Sequence, residues 1–206
     1  MMTQYLMLIL LWSGWCFLHS FMITPAVTGC LGKKLGGLFR YYRIFYNLTA
    51  LTTLLPVVAY SFSLTGEPLF EWSGYRRILQ VLLATASLWF FAAGAKKYDL
   101  SVLMGIRQAR DGQRCGLLSD DCSLDTTGVL GMVRHPWYTG GMMIVWTRDQ
   151  NTVSLITSLM ITLYFIIGSF LEEKKLLADF GQAYEDYQKQ VSMFLPFKWL
   201  SRKLGR

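Results

Sequence analysis

The chain reads as an all-α, polytopic integral membrane protein in one domain, with about five transmembrane helices and a C-terminal cytoplasmic amphipathic helix. Three observations predict this. Of 206 residues, 53% are apolar and only 16% are charged. The apolar residues gather into blocks over 5–25, 45–64, 78–95 and 152–171, each close to the roughly 20 residues that a spanning helix needs. The basic residues gather as well: all but Arg76, Arg77 and Arg148 of the 20 lysines and arginines lie before the second block, between residues 95 and 137, or after the last block. That is a positive-inside pattern, and it predicts an outside N-terminus and a cytoplasmic C-terminus.

The elements follow in order. The first block is preceded by Met1-Met2-Thr3-Gln4, with no basic residue and no convincing cleavage site after it, so it reads as a retained helix and not a signal peptide. Glycines at 32, 36 and 37 punctuate the next segment, and Arg40-Tyr41-Tyr42-Arg43 forms an interfacial collar before the second helix. Asn47 shares a helix face with Arg43, four residues earlier. Gly66-Glu67-Pro68 reads as a turn leading to the third helix. Residues 1–95 thus supply three helices. Residues 96–206 supply a long polar stretch (about 96–130), a short apolar block over 137–147, the helix over 152–171 and the amphipathic tail. In that tail Leu176, Leu177, Phe180, Tyr184, Tyr187 and Val191 recur at helical spacing, with a weak break at Gly181 and an end at Pro196.

Composition also excludes function classes. The net charge of +7 is spent on topology, so nucleic acid is not an expected partner. Cys16, Cys30, Cys115 and Cys122 show no ligand spacing, and there are two histidines, so neither structural disulfides nor a metal centre is expected. Continuous apolar blocks without period-two alternation argue against a β-barrel.

The chemistry is concentrated in Arg134-His135-Pro136-Trp137-Tyr138-Thr139-Gly140 and in Glu172-Glu173. Pro136 suits the first turn of a helix, which places Arg134 and His135 beside free N–H groups at an anion-favouring end. A hairpin of the last two apolar helices brings that end beside Glu172. An arginine facing a carboxylate suits a zwitterion, and Tyr138, Tyr184 and Tyr187 can flank a heterocycle or a sulfonium. Glu173 is expected to be solvated or paired with Lys174 or Lys175. His19 and Asn47 are candidate lining residues for a second ligand.

Taken together, Gly128-Val129, Arg134 to Gly140, Glu172-Glu173-x-x-Leu176, Phe180-Gly181-x-x-Tyr184-x-x-Tyr187 and Pro196 resemble the isoprenylcysteine carboxyl methyltransferase superfamily over roughly the last 80 residues. Trp15, His19-Ser20 and Arg40-Tyr41-Tyr42-Arg43-x-x-Tyr46-Asn47 are similar to its bacterial NnrU-like and methanethiol S-methyltransferase-like branch. The resemblance implies S-adenosylmethionine as cofactor and a bacterial inner-membrane location. By position it implies cofactor contacts at Cys122, Ser123, Leu124, Asp125, Leu130, His135, Pro136, Tyr138 and Glu172; the charges of Arg134 and Glu172 are read as the electrostatic clamp of the reaction. The family's tyrosine is Leu130 here, and an arginine that contacts the prenylated substrate falls near Gly168, which points away from prenylcysteine. The acceptor expected is a small or lipophilic thiol or carboxylate. Two rival readings are an NADPH-dependent reductase of the sterol-reductase type and a non-enzymatic NnrU-like membrane protein.

Overall fold

A computed structural model describes residues 2–111 and 124–205. They form ten helices and one two-stranded sheet, and two compact units divide them. The first unit lies within Met1–Leu69, Leu100–Leu117 and Gln150–Met160. The second lies within Phe70–Asp99, Leu118–Asp149 and Ile161–Arg206.

In the first unit, α1 (Met2–Met22) is followed by α2 (Pro25–Leu35), a 3-10 segment over Gly36–Tyr41 and α3 (Tyr42–Ser63). The glycine-punctuated segment is therefore helical. Thr24 caps α2 through its hydroxyl, and Gly36, at φ 51°, ends it. α1 and α3 pack antiparallel, with Trp12 Nε1 donating to Ser61 Oγ and Trp15 Nε1 to the Ala50 carbonyl. The strand β1 (Pro68–Phe70) pairs with β2 (Gln150–Asn151), so the predicted turn at Gly66 leads into an edge and not directly into a helix. The short helices α5 (Leu100–Met104) and α6 (Ile106–Asp111) occupy part of the long polar stretch over 96–130. Gly105, at φ 84°, joins them where a Cβ would strike the Arg43 side chain at 2.8 Å.

The second unit is built on α4 (Arg76–Ala95) and α7 (Pro136–Trp146), which pack antiparallel through small residues. Ser87 Oγ donates to the Gly140 carbonyl at 2.8 Å. A Cβ on Gly94 would come within 2.5 Å of the Trp137 indole. α8 (Thr152–Phe180) runs back along α7, with Gly141 lying against Phe165 and Trp146 Nε1 donating to Thr162 Oγ1 at 3.0 Å. A 3-10 turn over Gly128–Gly131, α9 (Gln182–Gln190) and α10 (Phe197–Leu204) complete the unit.

Among the described residues, four helical stretches are long and apolar enough to cross a membrane: Met2–Met22, Pro25–Ser63, Arg76–Ala95 and Thr152–Phe180. α7 differs from the expected fifth crossing. Its 11 residues rise about 16 Å, roughly half the hydrocarbon thickness. The amphipathic tail also divides differently. α8 does not end at Glu172; it continues unbroken to Phe180, and only Gly181, at φ 53°, turns the chain into α9.

Candidate functional site

The site forms where α7 begins and α8 leaves its apolar run. Twenty residues of helical rise, about 30 Å, separate Thr152 from Glu172, which matches the thickness of a bilayer core. The antiparallel α7–α8 hairpin brings Arg134 and His135 to this level, as the sequence predicts, but the carboxylates exchange roles.

Glu173 is the buried one. Its oxygens accept a forked pair from Arg134, Nε at 2.6 Å and Nη2 at 3.1 Å. They also accept from His135 Nε2 at 3.1 Å and Gln188 Nε2 at 2.7 Å. Arg134 is equally engaged, because its Nη1 donates to the carbonyls of Gln188 and Val191. With side-chain exposures of 8% and 6%, this pair is desolvated and fully coordinated, the condition under which a buried ion pair is tolerable. Arg134 and Glu172 were the expected clamp. The structure pairs Arg134 with Glu173 instead, because α8 continues past both carboxylates and successive residues point about 100° apart.

Glu172 is left 35% exposed, with His135 Nδ1 at 3.7 Å. The His135 ring lies parallel to that of Tyr138 with centroids 5.4 Å apart, and Tyr138 stacks in turn on Phe165 at 5.1 Å. Pro136 occupies the first helical position as expected, and Thr139 Oγ1 ties the His135 carbonyl to that of Phe194.

The chain returning from α9 fastens the same segment from below. Val133 and Ser192 form a parallel bridge, and the N–H groups of Arg134 and His135 donate to the carbonyls of Ser192 and Met193. Tyr184 and Tyr187 are packed with Val191, against Leu124 and Leu176, and do not line an open face. Burial pushes both phenols above their usual range, so they serve as neutral groups, Tyr187 donating to the Leu130 carbonyl at 2.6 Å. Leu130 itself sits in a core with Phe90, Val129 and Val133, so its side chain supports the site and only its carbonyl is used.

Asp125 is held by Lys97 Nζ at 2.9 Å and by the N–H and hydroxyl of Thr127, each at 2.8 Å. Burial opposes its ionisation, but these bonds outweigh burial and hold the carboxyl below the usual range. Cys122 and Ser123 lie outside the described residues. His19 and Asn47 belong to the first unit. There the His19 ring meets the Tyr46 hydroxyl and lies 5.1 Å from Trp15, and Asn47 Nδ2 donates to the Leu103 carbonyl. Among the described residues no group of three His, Cys, Asp or Glu is arranged to hold a metal.

Tyr98, Lys97 and Gln188 were not singled out from sequence. No motif marks them; only the path of α4 and α9 through the unit brings them near.

A profile of the NnrU protein family matches residues 7–200. The chain belongs to the NnrU family. Among its relatives, a methanethiol S-methyltransferase of Pseudomonas deceptionensis is 42% identical over 95 residues, which is 46% of this chain and 36% of that enzyme. Methanethiol S-methyltransferase 2 of Bradyrhizobium diazoefficiens is 28% identical over 196 residues, 95% of this chain and 74% of its own length. A protein-S-isoprenylcysteine O-methyltransferase of Tribolium castaneum is 37% identical over 86 residues, 38% of this chain and 30% of the enzyme. The match therefore spans about a third of the Pseudomonas enzyme's length. No solved structure matches the chain.

Proposed function

We propose that this NnrU-family protein is a membrane methyltransferase that uses S-adenosylmethionine and methylates a small or lipophilic thiol. The observation that carries the reading is Glu172: a 35%-exposed carboxylate beside His135, whose ring lies parallel to that of Tyr138, next to an ion pair that already satisfies Arg134. A carboxylate so placed fits a cation, and the cofactor carries two, a sulfonium and an ammonium. Arg134 does not fit as the partner of the cofactor's carboxylate, because its donors are committed to Glu173 and to backbone carbonyls. The first turn of α7 offers free N–H groups for that role. The names of the methanethiol S-methyltransferase relatives support a thiol acceptor over a carboxylate.

When bound, the cofactor supplies an activated methyl group. The chain's own residues supply position. Glu172 orients positive charge, the His135–Tyr138–Phe165 stack gives a rigid flat wall, and the buried Arg134–Glu173 pair keeps the start of α7 in place. Methyl transfer to an ionised thiol is an in-line displacement, so holding the two reactants in near-attack geometry is the main demand on the protein.

Calorimetric titration of the detergent-solubilised protein with S-adenosylhomocysteine tests binding, and mass analysis after incubation with labelled donor and a panel of thiols and carboxylic acids tests the reaction. Saturable binding and a methyl thioether product are expected. Absence of both, with a working control enzyme, refutes the proposal.

A further inference from the structure

α10 is tied to the second unit along one side. Lys198 Nζ donates to the carbonyls of Gln188 and Lys189 at 2.9 and 3.0 Å, capping the end of α9. The Lys198 backbone N–H donates to Ser192 Oγ at 3.2 Å, and Arg202 Nη2 donates to the Gly131 carbonyl at 3.3 Å. Lys198 and Arg202 stand four residues apart and share a face, which is the face turned to the protein. At about 100° per residue, Phe197, Leu200 and Leu204 fall within an arc of about 60° on roughly the opposite side. Phe197 and Leu204 are 67% and 82% exposed, and Leu200 and the neighbouring Leu195 are exposed as well. A row of large apolar side chains is thus directed away from the protein.

Depth and charge identify what covers that row. Gly131 and Ser192, which hold α10, flank the start of α7, where Ser192 bridges Val133. The Arg134–Glu173 and His135–Glu173 bonds set that point level with the end of the apolar run of α8, one bilayer thickness from Thr152. From Tyr187 to Arg206 the sequence has five basic residues and no acidic one. Lys203, beside the apolar arc, forms no ion pair among the described residues. An apolar face with an unneutralised basic flank at that level matches the headgroup–acyl boundary of a leaflet rich in acidic lipid.

We propose that α10 is an interfacial anchor for anionic lipid, with Phe197, Leu200 and Leu204 in the acyl boundary and Lys203 among acidic headgroups. The Gln188 carbonyl that receives Lys198 also receives Arg134 Nη1. The leaflet, by holding α10, therefore steadies the chain that fastens the Arg134–Glu173 pair.

Hydrogen–deuterium exchange of the full-length protein, in nanodiscs holding one copy each, tests this, because exchange follows local opening. The amides of 197–204 are expected to exchange at least about fivefold more slowly in equal parts phosphatidylcholine and phosphatidylglycerol than in phosphatidylcholine alone, and those of 188–192 to slow with them. Lys203→Gln is expected to remove about fivefold of that slowing. Leu204→Gln is expected to speed exchange of 197–204 about tenfold in both lipids. Both side chains are exposed, so neither substitution touches the core. Exchange that ignores lipid charge, or a Lys203→Gln protein that behaves as wild type, overturns the proposal. Slowing that appears only in discs holding two copies overturns it too, and assigns the apolar face to a second copy of the chain. Slowing confined to 197–204, with 188–192 unchanged, overturns the coupling to the site.

Discussion

Replacing each of the adjacent glutamates by glutamine separates a structural carboxylate from a ligand-binding one. Glu173→Gln turns one acceptor oxygen into a donor group facing Arg134, His135 and Gln188, all of which donate to it. At least two charge-assisted bonds are lost, and a guanidinium with 8% exposure is left without its counter-charge. Breaking such a pair costs about 3–5 kcal/mol. For a chain of this size that is a fall in Tm on the order of 10 °C. Glu172→Gln removes a charge that is 35% exposed and 3.7 Å from its histidine, and solvent screening keeps the cost below about 1 kcal/mol. Thermal unfolding in detergent, followed by fluorescence of the seven tryptophans, reads the difference directly. Titration with S-adenosylhomocysteine and S-adenosylmethionine then reads the complement: Glu172→Gln keeps its fold and weakens donor binding. Equal melting of the two variants, or a lower Tm for Glu172→Gln, refutes the assignment of roles.

Other outcomes follow from the same packing. Tyr187→Phe leaves the buried Leu130 carbonyl without its donor and should cost about 1–2 kcal/mol, measurable as a shift in the unfolding midpoint. Gly94→Ala places a methyl group 2.5 Å from Trp137; it should destabilise by about 1–3 kcal/mol and change the near-ultraviolet circular dichroism of the displaced indole. Asp125 has a lowered carboxyl pKa, so its contribution to stability is complete above the ordinary carboxylate range and is lost as pH falls through the depressed value. Limited proteolysis of the 124–127 segment should therefore rise only at a pH below the ordinary carboxylate range, and Lys97→Met should move that rise to higher pH.

The hairpin and its conjunction of groups were legible because they follow from two local signals, a proline at a helix start and a carboxylate pair about one bilayer thickness along an apolar run. Which glutamate faces inward was not legible. That depends on the rotation of α8, and α8 runs eight residues beyond Glu172 before Gly181 breaks it. The periodic leucines and tyrosines after Glu173 read as a surface helix, yet Tyr184 and Tyr187 point into a core that Leu124 completes from a distant part of the chain. Segments 25–41 and 100–111 looked irregular because glycines and charges dominate them; packing and capping made them helical. Tyr98 illustrates the limit most clearly. Its ring position depends on a glycine four residues earlier that admits an indole from another helix, and no periodicity records such a contact.

The strap that joins Val133 to Ser192 has a consequence for biosynthesis. The carbonyl of Val191 that receives Arg134 comes 57 residues later in the chain. At 5–20 residues per second the ribosome delivers it roughly 3–11 s after the arginine. During that interval the amides of Arg134 and His135 have no protein acceptor, and the nascent guanidinium has to stay hydrated. Final docking of the site is thus a late step of maturation, and a nascent chain arrested before residue 191 would hold α7 against α4 while the Arg134–His135 segment before it lacked its partners.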